Sequence, residues 1–96
     1  MQTEEILEKL REYKAERGDA YGIETLGLFG SCARGEQLPD SDIDVCVKMK
    51  TPSFFSMAGI QNELEELFKC KVDLISLGAI MRPLFKKNLE RDAVYV

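Results

Sequence analysis

The alternating run between Asp42 and Met49 limits the fold of this chain more than any other segment. Its apolar members stand at every second position: Ile43, Val45, Val47 and Met49. Asp42 and Asp44 begin the set of positions between them. Because successive side chains of a strand point to opposite faces, the run predicts a strand with one apolar face. Both carboxylates then project from the other face.

The flanking segments predict helices and further strands. Apolar residues at three- and four-residue steps predict a first helix, capped by Thr3 and ended by Gly18, and a second over about residues 54–69. Strands are predicted over residues 23–29 and 71–77, and Gly78 introduces a short C-terminal helix. The last four residues form a short strand or dock as an extended tail. This order predicts an α/β fold, a small mixed β-sheet flanked by helices.

The second predicted helix has an apolar stripe that we expect to be buried. Its members are Phe54, Met57, Ile60, Leu64, Leu67 and Phe68. We expect the acidic side chains of the same helix to face water: Glu63, Glu65 and Glu66. The first helix shows a similar stripe and no residues that suggest chemistry.

Length and composition restrict the possible functions. The 96 residues include 17 acidic and 13 basic side chains and no histidine, for a net charge of −4. This length favours one domain over residues 1–96. The negative charge argues against direct nucleic-acid binding, which needs a basic face to neutralise phosphates. Without histidine, the chain has no Ser-His triad, Cys-His dyad or His-ligated zinc.

The cysteines and the N-terminus indicate a cellular location. Three cysteines are an odd number, and no Cys-x-x-Cys pair is present. This usage suits a reducing compartment better than a disulfide framework. The N-terminus lacks the basic start and apolar run of a signal peptide, and no apolar stretch approaches the roughly 18 residues that span a membrane. We expect a cytoplasmic protein without a membrane segment.

Three sequence features together indicate a phosphate and metal site. Gly30 and Ser31 follow a predicted strand, at a turn whose amides could cradle phosphate. Ten residues separate Ser31 from Asp42, and the paired carboxylates of Asp42 and Asp44 are hard oxygen ligands that suit Mg²⁺. Asp73 stands in another apolar strand, which we expect to be central. A buried carboxylate there would need a partner, so we expect it to join the same metal site.

Each feature also has a simpler interpretation. A Gly-Ser pair is most often an ordinary turn, Asp-x-Asp also occurs on solvated strand faces, and Asp73 could pair with Lys71 or Arg82. The conjunction of all three, in this order, favours the functional interpretation. Residues 40–44 resemble the start of an EF-hand loop. That loop needs glycine and glutamate where this chain has Val45 and Thr51, so we reject it.

These motifs resemble a known family. Gly30-Ser31, ten intervening residues and Asp42-x-Asp44 are similar to the signature of the DNA polymerase β-type nucleotidyltransferase superfamily, and in particular of its minimal nucleotidyltransferases. The segment around Asp73 resembles the strand that carries the third carboxylate, and Arg82-Pro83 resembles the usual tail. The resemblance runs from about residue 23 to the C-terminus. It implies a polymerase β-like nucleotidyltransferase fold.

The resemblance also implies roles for individual residues. Asp42 and Asp44 would bind two Mg²⁺ ions, and Asp73 would complete the metal site and help to activate the attacking hydroxyl. Gly30 and Ser31 would hold the β- and γ-phosphates of ATP. Arg34 could contact the phosphates, although an ion pair with Glu36 explains its presence equally well.

The implied reaction is transfer of AMP from ATP to a hydroxyl. Minimal nucleotidyltransferases often serve as antitoxins of a helical HEPN-type ribonuclease toxin, and the resemblance implies that a tyrosine of this toxin is the acceptor. One alternative is a catalytically inactive antitoxin that neutralises the toxin by binding alone. A weaker one is a nucleotidyltransferase acting on RNA or a small molecule, since the sequence shows no basic groove.

Overall fold

A computed structural model describes residues 2–36, 42–78 and 82–96. Its elements in chain order are α1 (Thr3–Tyr21), β1 (Ile23–Phe29), α2 (Gly30–Ala33), β2 (Ile43–Met49), α3 (Phe54–Phe68), β3 (Val72–Ser76), α4 (Pro83–Asp92) and β4 (Val94–Tyr95). The α/β prediction is confirmed, including the short terminal strand. None of the helices in these ranges is long and apolar enough to cross a membrane.

The four strands form one mixed sheet in the order β3-β2-β1-β4. β2 runs antiparallel to β1 and parallel to β3, while β4 pairs antiparallel with β1. Paired residues share a face of the sheet. Leu28, Val45 and Leu74 therefore lie on one face, whereas Asp44 and Asp73 lie on the other.

The apolar face of the sheet packs against α1 and α3. All four alternating apolar residues of β2 are buried, as the sequence predicts: Ile43, Val45, Val47 and Met49. They join one hydrophobic cluster with α1 residues such as Leu10 and α3 residues such as Leu64. Cys32 and Cys46 are buried, and the half-buried Cys70 packs against the same cluster. Both helices thus cover one face and leave the acidic face of β2 uncovered by them.

The predicted apolar stripe of α3 is only partly correct. Ile60, Leu64 and Phe68 are buried at four-residue spacing, but Phe54 is 86% exposed and Leu67 is 37% exposed. Phe54 is the first residue of the helix and lies about 80° around the helix axis from the middle of the buried line. The helix begins where predicted, because the Ser53 hydroxyl accepts a hydrogen bond from the Ser56 amide.

Both predicted ends of α1 are wrong. Gln2 stands at the cap position, and Thr3 instead donates its hydroxyl to the Cys32 carbonyl at 2.6 Å, which joins α1 to α2. Gly18 lies inside the helix, which continues to Tyr21. Gly22 ends it with a left-handed backbone, φ 67°, and its amide donates to the Asp19 carbonyl. The last helical turn closes there, because glycine adopts this conformation without strain.

Helix α4 and the Tyr95 side chain of β4 lie on the other face of the sheet. The ring of Phe85 in α4 meets that of Phe29 edge to face, with centroids 6.2 Å apart. Tyr95 in β4 lies over Gly27, where an added Cβ would come within 2.7 Å of its ring. These contacts cover part of the open face and leave the region of Asp44 and Asp73 accessible.

Glu63 joins α1 to α3 and is not simply facing water, contrary to the sequence expectation. Its carboxylate accepts hydrogen bonds from Arg17 at 3.0 Å, from Tyr13 at 3.4 Å and from the Tyr21 hydroxyl. Glu65 is also engaged, because its carboxylate accepts from the Val72 amide at 3.0 Å. Both acidic residues therefore support the packing of α3.

The two glycines near the end of α1 give opposite predictions. Gly18→Ala should stabilise the protein by about 0.5–1 kcal/mol, because alanine favours the helix interior. The added methyl would meet only Lys14 Cγ, at an ordinary 3.6 Å. Gly22→Ala should destabilise by about 1 kcal/mol, since its backbone is left-handed. Urea unfolding measures both; equal effects would contradict the assigned helix end.

Glu63→Gln should lower the free energy of unfolding at pH 7 by on the order of 1 kcal/mol, through the lost charged hydrogen bonds. Burial raises the pKa of Glu63, but the hydrogen bonds from Tyr21 and Arg17 outweigh this and lower it below the ordinary 4.5. The stabilisation is therefore lost as the pH falls below about 4.5. The difference in free energy of unfolding between the parent protein and Glu63→Gln should become smaller from pH 7 to pH 3. A difference that stays constant over this range would refute the role of the charge.

Candidate active site

Asp44 and Asp73 are direct neighbours on adjacent parallel strands. The register of β2 and β3 pairs these two residues, and both lie on the face of the sheet that α1 and α3 do not cover. Asp44 is half-buried, whereas Asp73 is exposed. The expectation of a central strand with a buried Asp73 is wrong, because β3 is at the edge of the sheet. The structure nevertheless brings Asp73 to Asp44.

The environment of Asp44 disfavours its negative charge. Burial raises the pKa of this carboxyl, and the neighbouring charges of Asp73 and Asp42 raise it further. Arg34 acts in the opposite direction and lowers it, but the net shift is upward. Like charges at such close range repel unless a cation lies among them. A cation beside Asp44 would therefore stabilise the charged form of this carboxyl.

Gly30 brings the backbone of the turn after β1 against the Asp44 carboxylate. Its backbone is left-handed, with φ 71°, and an added Cβ would collide with Asp44 Oδ2 and lie 3.3 Å from Cγ. Any other residue would be strained and would also displace the carboxylate. Glycine at this position therefore allows the Asp44 carboxylate to lie directly against the backbone of the turn.

Ser31 and Asp42 lie near this contact between Gly30 and Asp44. Ser31 is half-buried in α2, and the following Cys32 donates its thiol to the Asp42 carbonyl at 3.6 Å. Asp42 is half-buried and directly precedes β2. The segment that resembles the start of an EF-hand loop, rejected from the sequence, lies partly outside the described residues, at Asp40 and Ser41. The described contacts thus connect the Gly-Ser turn to the entrance of the acidic strand.

The donor chemistry of this site fits Mg²⁺. Asp42, Asp44 and Asp73 offer hard carboxylate oxygens, and burial and like charges disfavour the ionised form of Asp44 in the absence of a cation. Within residues 2–36, 42–78 and 82–96, no three acidic or cysteine side chains are already gathered as a metal cluster. The structure therefore unites Asp44 with Asp73 and leaves Asp42 as a nearby charge.

Arg34 takes part in the ion pair that the sequence offered as an alternative. Its Nε lies 3.0 Å from the Glu36 carboxylate, and its Nη1 lies 2.9 Å from that of Asp92 in α4. These two partners raise its pKa. Arg34 also lies close enough to Asp44 to lower the pKa of that carboxyl. The residue is thus held at the end of α2, beside the predicted phosphate turn.

Two cavities adjoin the site, and sequence reasoning missed most of the residues that line them. A cleft of about 490 Å³ in front of Asp44 and Asp73 is lined by apolar residues including Ile75, Phe29 and Phe85. A smaller cavity of about 210 Å³ lies between α2 and α4, beside Gly30. Its further lining residues include Arg34, Asn88, Arg91 and Asp92. The sequence feature that could have indicated the α4 residues of this cavity is the excess of basic side chains in α4 of an otherwise acidic chain.

Comparisons with known proteins agree with this fold. The family model described as a nucleotidyltransferase domain matches residues 5–96. A Methanocaldococcus jannaschii protein provisionally named a protein adenylyltransferase is 42% identical over 95 residues, which cover 96% of this chain and 95% of that protein. The protein adenylyltransferase MntA of Thermococcus cleftensis is 35% identical over 94 residues, covering 97% and 94%.

Solved structures show the same architecture. A provisionally assigned minimal nucleotidyltransferase superposes with a TM-score of 0.79 at 27% identity, covering 98% of this chain and 95% of that one. A chain from the complex of a tri-AMPylated Shewanella oneidensis HEPN toxin with an MNT antitoxin superposes with a TM-score of 0.69 at 17% identity, covering 98% and 71%. The family match and the sequence identities show that this chain belongs to the nucleotidyltransferase family of enzymes.

Proposed function

We propose that this chain is a Mg²⁺-dependent protein adenylyltransferase that transfers AMP from ATP to a tyrosine of a HEPN-type ribonuclease toxin, and so acts as an antitoxin. The observation that carries the proposal is the pairing of Asp44 with Asp73 on adjacent strands, with the Gly30 backbone against the Asp44 carboxylate. This arrangement provides ligands for a hard cation, and the cleft of about 490 Å³ in front of the two aspartates has room for a phosphate.

The three aspartates are the proposed metal ligands: Asp42, Asp44 and Asp73. When bound, two Mg²⁺ ions would polarise the α-phosphate and neutralise the negative charge of the leaving pyrophosphate. Gly30 and Ser31 are the proposed binding residues for the β- and γ-phosphates, and Arg34 is a further candidate. Gly30 permits the close approach because it lacks a side chain there.

Asp73 is positioned to serve the acceptor. It is exposed on the edge strand, beside Asp44, where a residue of another protein can reach it. In the proposed step the acceptor oxygen forms a bond to the α-phosphorus while the bond from that phosphorus to the bridging oxygen breaks. Pyrophosphate leaves with the electron pair, and Asp73 accepts the proton of the hydroxyl.

The choice of acceptor is supported by relatives. MntA of Thermococcus cleftensis is named a protein adenylyltransferase, and this chain matches nearly its whole length. The Shewanella complex joins an MNT antitoxin to a HEPN toxin that carries AMP groups. These two relations together make a HEPN toxin the proposed partner and substrate.

Catalysis is favoured over neutralisation by binding alone. Asp73 is exposed, so its charge has little energetic cost and does not distinguish the two functions. Asp44 distinguishes them, because its charged form is disfavoured by burial and by two neighbouring carboxylates. A cluster of like charges opposes folding and has no evident structural benefit, which is typical of catalytic sites.

We also propose that residues 1–96 act as one domain in the cytoplasm. A single hydrophobic cluster extends through α1, β1, β2, α3 and the start of β3. All three cysteines are free thiols, as a reducing compartment favours.

Asp42→Asn and Asp44→Asn should each lower AMP transfer by on the order of 1,000-fold or more, because each removes a charged metal ligand. The assay follows label from α-³²P-ATP to a HEPN-type toxin supplied as the acceptor, with Mg²⁺ and with EDTA. Asp19→Asn is the matched control, since Asp19 is exposed on α1 and should leave transfer unchanged. Asp44→Asn should also raise the melting temperature, because it removes a disfavoured charge.

Three results would contradict the proposal. Transfer that persists in EDTA, or in both aspartate variants, would exclude the proposed metal site. Toxin inhibition that is equal in the parent protein and in both variants would favour neutralisation by binding alone. Label found on RNA or on a small molecule, with none on the protein, would identify a different acceptor.

Gly30→Ala should abolish most AMP transfer, whereas Gly35→Ala should retain it. Both glycines have a left-handed backbone, with φ 71° and 72°, so both variants carry a similar conformational strain of about 1 kcal/mol. Only at Gly30 would the new methyl collide with Asp44; at Gly35 its nearest neighbour is Thr3 Oγ1 at 3.9 Å. Transfer rates compared at equal folded fractions, from urea unfolding, test this; equal losses would assign the effect to strain.

A further inference from the structure

The cavity between α2 and α4 contains two arginines held by one carboxylate. Arg34 Nη1 lies 2.9 Å from Asp92 Oδ2, and Arg91 Nε lies 3.1 Å from Asp92 Oδ1. The Asp92 side chain is only 12% exposed, so its carboxylate holds the two guanidinium groups in place. Together with Asn88, both arginines and Asp92 line the same 210 Å³ space.

Both arginines keep donors available for an anion. A guanidinium has five N–H groups, and Arg34 uses only Nε and Nη1 in its two ion pairs. Arg91 uses Nε and Nη2, both toward Asp92. Within the described residues, Nη2 of Arg34 and Nη1 of Arg91 donate no hydrogen bond. These groups can therefore bind phosphate oxygens without breaking the ion pairs that position them.

The charge of α4 contrasts with that of the whole chain. Residues 82–92 contain four basic and two acidic side chains, although the chain carries −4 overall. This positive segment lies beside Gly30 on one side of the site, while Asp44 and Asp73 lie on the other. Such a separation of charge favours a ligand with a metal-bound phosphate at one end and further phosphates at the other.

Gly30 connects the cavity to the acidic site. It lines the space between α2 and α4 and also contacts the Asp44 carboxylate. Phe29 and Phe85 line both this cavity and the larger cleft in front of Asp73. A volume of about 210 Å³ is below the range of pockets that enclose whole drug-sized ligands, so it suits a fragment such as a diphosphate.

We propose that this cavity binds the terminal diphosphate of the nucleotide, which the reaction releases as pyrophosphate, and that Asn88 and Arg91 of α4 are binding residues for it. Asp92 is a positioning residue, because it holds Arg34 and Arg91 on the cavity wall. The proposal rests on the proposed function for the identity of the ligand. It adds residues of α4 to the binding groups of the Gly-Ser turn.

Titration calorimetry with inorganic pyrophosphate, ATP and AMP, each with Mg²⁺, tests this without an acceptor protein. Arg91→Gln should raise the dissociation constants of pyrophosphate and ATP about tenfold, the effect of one lost charge-assisted hydrogen bond at a partly exposed site. Asn88→Ala should raise them by a few-fold. The dissociation constant of AMP should not change in either variant. Lys87→Ala is the control, since Lys87 is an exposed cation of α4 outside the cavity lining.

The outcomes separate this proposal from the proposed function. If the parent protein binds pyrophosphate through Arg91 but transfers no AMP, the cavity assignment stands and the proposed function fails. If AMP transfer is observed but Arg91→Gln binds pyrophosphate and ATP as the parent does, the cavity assignment is refuted. It is equally refuted if the parent binds no pyrophosphate, if AMP affinity falls by the same factor as ATP affinity, or if Lys87→Ala has the same effect as Arg91→Gln.

Discussion

The repulsion between Asp44 and Asp73 is the constraint on which the candidate site depends. Their adjacency is a consequence of parallel pairing between β2 and β3, which fixes residue 44 opposite residue 73. Parallel neighbours need a crossover connection, and α3 provides it on the apolar face. The helix that completes the hydrophobic core therefore also brings the two carboxylates together. The α3 crossover between β2 and β3 therefore contributes both to stability and to the proposed chemistry.

Coverage of one face leaves the other free for a ligand. Because α1 and α3 both pack on the apolar face, with Glu63 linking them, the acidic face needs no further helix for folding. The C-terminal elements cover only its margin, through Phe85 on Phe29 and Tyr95 over Gly27. Hence the site is open toward β3, where Asp73 is exposed at the sheet edge.

The sequence predicted those parts of the fold that local patterns determine. The alternation in β2 indicated both its buried face and its acidic face, since a period of two needs no knowledge of the partner strand. The same logic failed for Asp73, because strand order is a non-local property and the apolar flanks of β3 suggested a central strand. Gly18 was misleading for a related reason. Two glycines near a helix end are equivalent in sequence, and only the backbone conformation distinguishes Gly22.

The candidate site was predictable to the extent that it lies in contiguous motifs. Gly30, Ser31, Asp42 and Asp44 stand within one short segment, so their spacing is visible in the sequence. The ion pair of Arg34 with Asp92 joins residues 58 positions apart, and no local pattern indicates it. The basic excess of α4 was visible as composition, but its meaning depends on where α4 packs.

The arrangement of charge follows from what a nucleoside triphosphate would require. The acidic pair alone would repel the phosphates, so the proposed site needs Mg²⁺ beside Asp44 to bind the reacting phosphate. In the proposed reaction the leaving diphosphate would gain negative charge as it departs from Asp44, and the attraction of a cation held there would weaken with distance. Arg34 and Arg91 line the cavity beside Gly30, whereas Asp44 and Asp73 line the larger cleft. Arg34 is close enough to Asp44 to lower the pKa of that carboxyl, but the ion pairs described for the two arginines are with Glu36 and Asp92. Asp92 therefore keeps both arginines beside the cavity where the charge of the diphosphate would develop in the proposed reaction.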